Sequence, residues 1–244
     1  KATVNALKYK KEDRWANACK AIVYGFTSGG FEIGGFDLTV YSEILPSAGF
    51  GVTTAIKAAT LIALQNLFEV KCTDNELLQI LERGNRRFLQ SENYLSDNYS
   101  ALFSKKGNLL ITDYFKNSWD YVPFNFSDKK IFLIDTKVPR VSIWNEASIF
   151  EPQYALLLGD LREQKPNVYG GWQYINNITD INEVLEIETE DVQRKLKSVI
   201  REHKDLLEAK AGLETGDFFK FARSVNHSHE TMRDMFNMSC PEID

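Results

Sequence analysis

The chain has few cysteines and histidines for its 244 residues, and it has no excess of positive charge. Its three cysteines, Cys19, Cys72 and Cys240, are far apart and form no C-x-x-C pair, which argues against a disulfide framework or a zinc site. Such isolated thiols are typical of a reducing compartment, so a cytoplasmic location is expected. The formal net charge of −5 argues against nucleic acid or an anionic membrane as a partner, since both require clustered Lys and Arg.

Long apolar runs are also absent. The longest, around Thr60 to Leu67, is interrupted by Gln65 and Asn66 and is far too short to span a bilayer. What the chain does have is an apolar fraction of 43% and an aromatic fraction of 12%, which are typical of a globular protein with a core. Its length allows one large domain or two modest ones.

One stretch combines a strand exit, a glycine turn and a helix entry, and it runs from Pro46 to Lys57. Gly49 and Gly51 permit positive φ and close approach of a ligand, while Thr53 and Thr54 fall where a helix start leaves N–H groups unpaired. These residues predict a cradle for an oxyanion or a phosphate. They are equally typical of a tight turn with an ordinary Thr cap, and the stretch lacks the Gly-Lys-Ser/Thr ending of a Walker A loop. Lys57 could face phosphate or solvent.

The residue pattern predicts mixed secondary structure. Asp37–Ser42 and Leu109–Tyr114 are predicted strands, Lys105–Asn108 a hairpin turn, and Lys130–Thr136 the most strongly indicated buried strand. Thr73 and Glu76 form a predicted capping box. The predicted helices are Trp15–Tyr24, Ala55–Phe68, Thr73 to about Leu89, Glu151–Leu161, Asp180–Ile187, a long one from Thr189 to about Ala211, and a last one from Asp217.

The end of the chain, from Asn226 to Asp244, closely resembles a segment of galactokinases that reads roughly N-x-S-H-x-x-M-R-D-x-Y-x-V-S-C-P-E-L-D. Trp15-Ala16-Asn17 resembles the W-x-N-Y of that family, and Gly49 to Thr54 resembles its phosphate loop, G-x-G-L-S-S-S-A. Order and spacing agree along nearly all of the chain. The chain is therefore identified as a galactokinase-like member of the GHMP kinase superfamily.

The resemblance implies an α+β fold of two domains: residues 1–128 would be the N-terminal, ATP-loop domain, like domain 2 of ribosomal protein S5, and residues 129–244 the C-terminal domain. It implies transfer of the γ-phosphoryl of MgATP to the 1-hydroxyl of galactose or a related hexose. The expected cofactors are ATP and Mg²⁺, the expected partners are a small sugar and ATP, and a monomer or weak homodimer is expected. The family's R-x-N-L-I-G-E-H-x-D stretch would precede residue 1, and its glycine-rich segment would follow residue 244, so both domains are expected to be partial.

Carried over to this sequence, Gly49, Gly51, Thr53 and Thr54 would hold the ATP phosphates, and Trp15 would lie beside the adenine. Asp97 falls at the Asp of the family's M-D-Q and would act as the base or charge partner of the attacking hydroxyl. Local sequence alone favours a turn aspartate that caps Asn98-Tyr99, and the resemblance favours the functional role of Asp97.

The chain also departs from the family pattern near the chemistry. Ala55 replaces the third Ser of the loop, Asn85 stands where the family has a metal-binding Glu, and Tyr94 replaces a Gly near the sugar. An amide is a weaker ligand than a carboxylate for a hard cation. Beside a galactokinase-like kinase, two alternatives stay open. The chain could be a paralogue that binds or senses sugar or nucleotide without turnover, or it could be part of a longer active enzyme that contains the missing motifs.

Overall fold

A computed structural model of the chain describes residues 2–44, 49–91, 95–114, 116–138 and 189–244. The chain divides into two compact units, Lys1–Tyr121 and Val122–Asp244. The domain limits of 1–128 and 129–244 stay a prediction. The helices predicted at 151–161 and 180–187, and the substitution at Tyr94, lie outside the described residues, as do positions 46–48 at the start of the predicted bend.

The first unit is mainly helical among its described residues. Two short 3₁₀ turns, Val4–Ala6 and Lys11–Asp13, precede helix α1. The longer elements are α1 (Ala16–Ser28), α2 (Val52–Leu67), α3 (Asp74–Arg83), a π-helical turn (Gly84–Leu89) that continues α3, and α4 (Leu95–Phe103). These bounds confirm the helices predicted at 15–24, 55–68 and 73–89.

The core of this unit forms where α1, α2 and α3 pack together. Each helix contributes fully buried apolar side chains, because its apolar residues recur every three or four positions and share one face. Burial of each of these side chains contributes roughly 1.5–3 kcal/mol. The fully buried members include Ile22 and Phe26 from α1, Leu61 from α2, and Ile80 and Leu81 from α3.

Gly84 allows the π-helical turn to lie directly against α1. A Cβ at Gly84 would lie 2.5 Å from the carbonyl oxygen of Ala21, which is too close for any side chain. The turn that carries Asn85 is therefore held at the surface of α1 by contact between backbones.

Strands β1 (Asn108–Asp113) and β2 (Ser118–Pro123) form a two-stranded sheet. The strand predicted at 109–114 is confirmed within one residue. The turn predicted at 105–108 is present, with Asn108 N donating a hydrogen bond to Lys105 O at 3.1 Å, but it is not a hairpin, because α4 rather than a strand precedes it. Gly107, at φ +77°, instead connects a helix to β1.

In the second unit, helix α5 (Glu190–Thr215) packs against helix α6 (Phe218–Asp234). The hydroxyl of Ser228 donates a hydrogen bond to Glu202 Oε2 across this contact at 2.8 Å. The two helices confirm the long helix and the last helix predicted from the sequence. Four aromatic rings of this unit, two from the segment after β2 and two from α6, cluster together: Phe124, Phe126, Phe218 and Phe221.

Two predicted strands are wrong. Asp37–Ser42 and Lys130–Thr136 have no regular secondary structure, and both are largely exposed to solvent. Ile131 is 70% exposed and Ile134 80%. An apolar or alternating run forms a strand only beside a second strand that completes its hydrogen bonds, and in the described residues β1 and β2 pair with each other alone.

Candidate functional site

The bend before α2 is built on two glycines in the left-handed region. Gly49 has φ +79° and Gly51 has φ +66°, a conformation that costs other residues roughly 1–2 kcal/mol. A Cβ added at either glycine would meet no atom of the described chain within 4 Å. The backbone conformation, rather than a lack of space at the bend, therefore explains why glycine occupies both positions.

Gly51 is also the N-cap residue of α2, and among the described residues no side chain caps this helix start. The first N–H groups of a helix have no partner within the helix, and they carry its positive dipole end. Gly49, Gly51 and Thr53 are exposed, whereas Thr54 is buried. The predicted bend is therefore an open helix start of the kind that binds anions, with Thr53 on its solvent side.

Lys57 lies inside the unit, not toward solvent. Only 4% of its surface is exposed, and its Nζ donates a hydrogen bond of 2.7 Å to Asn85 Oδ1. Burial lowers the pKa of Lys57 from 10.5 to about 8, and the negative charge of Asp97 opposes part of that shift. A cationic side chain is thus fixed behind the first turns of α2.

Asn85 reaches Lys57 from the π-helical turn. It is fully buried, and its Nδ2 has no hydrogen-bond partner within the described part of the chain. Its backbone carbonyl accepts a hydrogen bond from Ser91 N at 3.2 Å, which closes the wide turn. π-Helical turns inside helices are frequent at functional sites, and a buried amide with an unused donor is rare enough to require an explanation.

Asp97 and Asn98 approach from α4, which packs against α2. Asp97 lies in the first turn of α4, so it is a helix residue rather than the turn aspartate that local sequence also allowed. Asn98 is fully buried, and within the described residues neither atom of its amide has a hydrogen-bond partner. The structure thus brings the charge of Asp97 and the amide of Asn85, with its unpaired Nδ2, close to Lys57.

Trp15 immediately precedes α1 and is 55% exposed. Its predicted position beside an adenine ring stays a prediction, as do the phosphate-binding roles of Gly49, Gly51, Thr53 and Thr54.

The residues do not fit a Mg²⁺ ion bound at Asn85. Mg²⁺ requires oxygen ligands in near-octahedral geometry, and the side-chain oxygen of Asn85 already accepts the Lys57 hydrogen bond. An ammonium group at that distance would also repel a divalent cation. Among the described residues, moreover, there is no group of three or more His, Cys, Asp or Glu side chains that could hold a metal ion.

Sequence reasoning left Lys57 undecided and missed Asn98. The position of Lys57 had a signal, because Thr54, Lys57, Leu61 and Leu64 recur every three or four residues and lie on the buried face of α2. Asn98 had none: a polar residue beside an aromatic one is as common on a surface as in a core.

Comparison with known proteins shows what the chain is similar to. Residues 15–105 match the family model for the GHMP kinases N terminal domain. Over 98% of its length the chain is 33% identical to a putative galactokinase of Treponema pallidum. These similarities support a galactokinase-like GHMP kinase.

Other galactokinases are more distant in sequence. This galactokinase-like chain is 23% identical to the galactokinase of Thermotoga maritima over 99% of its length. A crystal structure of Lactococcus lactis galactokinase complexed with galactose matches 99% of the chain with a TM-score of 0.74 at 18% identity, which confirms the predicted α+β fold. The chain spans 59% of the Treponema protein, 66% of the Thermotoga protein and 61% of the Lactococcus chain.

No helix in the described ranges of this galactokinase-like chain has the length and apolar character needed to cross a membrane.

Proposed function

We propose that the protein is an ATP-dependent sugar kinase of galactokinase type, which transfers the γ-phosphoryl group of ATP to the 1-hydroxyl of galactose or a related hexose. The proposal depends chiefly on one observation: Lys57 is buried behind the open start of α2, and α4, which carries Asp97, packs against this helix. A glycine bend, a fixed positive charge and a nearby carboxylate are the components that phosphoryl transfer requires.

In this proposal the exposed N–H groups at the start of α2 bind the phosphates of ATP, with Thr53 as an additional hydroxyl donor. Asp97 orients the sugar hydroxyl and accepts its proton. The hydroxyl oxygen forms the new bond to the γ-phosphorus as the bond from that phosphorus to the bridging oxygen breaks, and ADP leaves with that electron pair. Asp97 then releases its proton to solvent.

The predicted Mg²⁺ has no fitting ligand set at Asn85, so no residue of the chain is given a metal-binding role. The proposal also includes a small sugar as partner and a monomer or weak homodimer as the oligomeric state. Both rest on the resemblance to the family.

Sugar-dependent release of ADP tests the proposal. With the full-length protein, ATP and a panel of hexoses, we expect ADP release with galactose or a close relative. Replacement of Asp97 by Asn should reduce the rate by about 10²–10⁴-fold, the usual contribution of a positioned general base. Asp74→Asn is the matched control, because Asp74 occupies the first turn of α3 and is exposed.

The control variant should retain the wild-type rate. If nucleotide binds but no hexose stimulates ADP release, the kinase proposal is wrong. If Asp97→Asn and Asp74→Asn are equally active, the kinase stands but the role of Asp97 does not.

A further inference from the structure

The buried cation of this site is the side chain of Lys57. The inference drawn from it rests on the proposed function and adds a role for this lysine in nucleotide binding. Lys57 is almost completely buried, and its ammonium group is held at 2.7 Å by the uncharged Asn85. A buried ammonium that is paired with a neutral amide is costly, since its charge is only partly compensated by the protein. A buried ionisable residue of this kind is a candidate for a functional role.

The charges around Lys57 point to an anion. Asp97, on α4, is the carboxylate whose charge acts on Lys57. The basic residues of the π-helical turn, Arg86 and Arg87, are exposed, and Arg86 forms an ion pair with Glu82 at 2.9 Å. Toward the start of α2, the next polar groups along the helix are Thr53, Thr54 and the uncapped N–H groups. Within the described ranges, the charge of Lys57 is therefore complemented by Asp97, and the side toward the start of α2 presents uncharged polar groups.

The geometry of a helix directs Lys57 toward those groups. Long side chains on a helix lean back toward its N-terminus and cover the preceding turn. Lys57 lies six positions after Gly51, and one turn before it are Thr53 and Thr54. Its ammonium group accordingly adds a full positive charge to the partial positive charge of the helix start.

We propose that the Lys57 ammonium is the resident cation of the phosphate site, so that a nucleoside triphosphate binds at the Gly49–Thr54 bend without a metal ion ligated by the protein. Lysine binds phosphate as a point charge, which suits this role. Asn85 holds the ammonium in place and is a positioning residue. The Nδ2 of Asn85, which has no partner among the described residues, supplies a further hydrogen-bond donor beside it.

Nucleotide binding, measured apart from turnover, tests this role. The affinity of the full-length protein for a non-hydrolysable ATP analogue is measured by calorimetry with Mg²⁺ and then with EDTA. We expect the two dissociation constants to agree within about threefold. Lys57→Met should weaken binding about tenfold or more in EDTA, the loss expected when one charge-assisted contact is removed. Lys20→Met is the control, because Lys20, on α1, is a half-buried lysine that forms an ion pair with Asp13.

A second variant reverses the arrangement. Lys57→Ala combined with Asn85→Glu removes the ammonium and supplies a carboxylate, so binding should become at least about tenfold tighter in Mg²⁺ than in EDTA. Thermal unfolding confirms that each variant is folded.

The outcomes separate the two proposals. If the unaltered protein binds the analogue only with Mg²⁺, or if Lys57→Met binds as well as Lys20→Met, the role of Lys57 is overturned and the kinase proposal stands. If the unaltered protein binds no nucleotide under either condition, both proposals fail. The affinities in Mg²⁺ and in EDTA are compared on the unaltered protein. The test therefore gives an answer even if a variant does not fold.

Discussion

Helices α2 and α3 begin in opposite ways. At the start of α3, Thr73 Oγ1 accepts a hydrogen bond from Glu76 N, and Glu76 Oε2 accepts one from Thr73 N at 2.8 Å. The start of α2 has only Gly51, with no capping side chain among the described residues, and a buried lysine follows within two turns. Capping stabilises a helix start by about 1 kcal/mol, whereas a buried ammonium lowers the free energy of unfolding. Under the proposed function, the start of α3 is structural and the start of α2 binds the ligand.

The largest expected effect concerns the buried charge at α2. Because the pKa of Lys57 is lowered from 10.5 to about 8, the unfolded chain binds more protons than the folded chain between those values. Stability should therefore rise as pH increases through that window, by up to about 3 kcal/mol at 1.36 kcal/mol for each pKa unit. Urea unfolding of the wild type and of Lys57→Met at pH 7.5 and pH 10.5 measures this effect.

The Lys57→Met variant is the reference for every other group that titrates in the same window. Only the wild type should gain the additional stability at pH 10.5. If the free energy of unfolding depends on pH in the same way for both proteins, Lys57 titrates as an ordinary lysine. The two helix starts would then not differ in the electrostatic cost of a buried charge.

The next effect concerns the glycine at α2. Gly51→Ala forces a side chain into the left-handed region at φ +66° and should lower the free energy of unfolding by roughly 1–2 kcal/mol. Gly107→Ala is the matched control, since Gly107 has φ +77° and open space around it in the described structure. Both variants should lose similar stability in chemical unfolding.

Only Gly51→Ala should also weaken binding of the ATP analogue, because it alone reorients the first N–H groups of α2. Equal nucleotide affinity for the two variants would mean that the bend is merely a turn.

The smallest effect is expected at α3. Thr73→Ala removes half of the capping box and should lower stability by about 1 kcal/mol at pH 7, with nucleotide affinity unchanged. The pKa of Glu76 is lowered first by the backbone hydrogen bond from Thr73 and then by the Thr73 side chain. A lowered carboxyl pKa stabilises the fold above its ordinary value of 4.5, and the stabilisation is lost as pH falls through the lowered one.

The difference between wild type and Thr73→Ala in urea unfolding should therefore shrink between pH 7 and pH 3. Thr73→Ser keeps the hydroxyl and should behave as the wild type does. A constant difference across this range would indicate that the hydrogen bond from the Thr73 hydroxyl to the Glu76 carboxylate does not contribute to the cap.

The helix starts also show what local sequence can predict. The capping box at Thr73 and the helix after Gly51 depend on neighbours within a few residues, so their patterns were sufficient. The strands predicted at 37–42 and 130–136 depended on a second strand elsewhere, and none pairs with them in the described residues. Lys57 falls between these cases: its helical face was predictable, but its partner Asn85 is 28 residues away. The position of Asp97 in a helix, beside that lysine, likewise required the tertiary packing of α4 on α2.

The π-helical turn at Gly84–Leu89 makes the length of this segment critical. A π-turn contains one residue more than the α-helical turn from which it derives, and an ordinary helix advances by about 100° for each residue. Deletion of a single residue there would restore regular winding and rotate the chain that follows, including the approach to α4. The number of residues between Asn85 and Asp97 is therefore part of what brings both residues to Lys57.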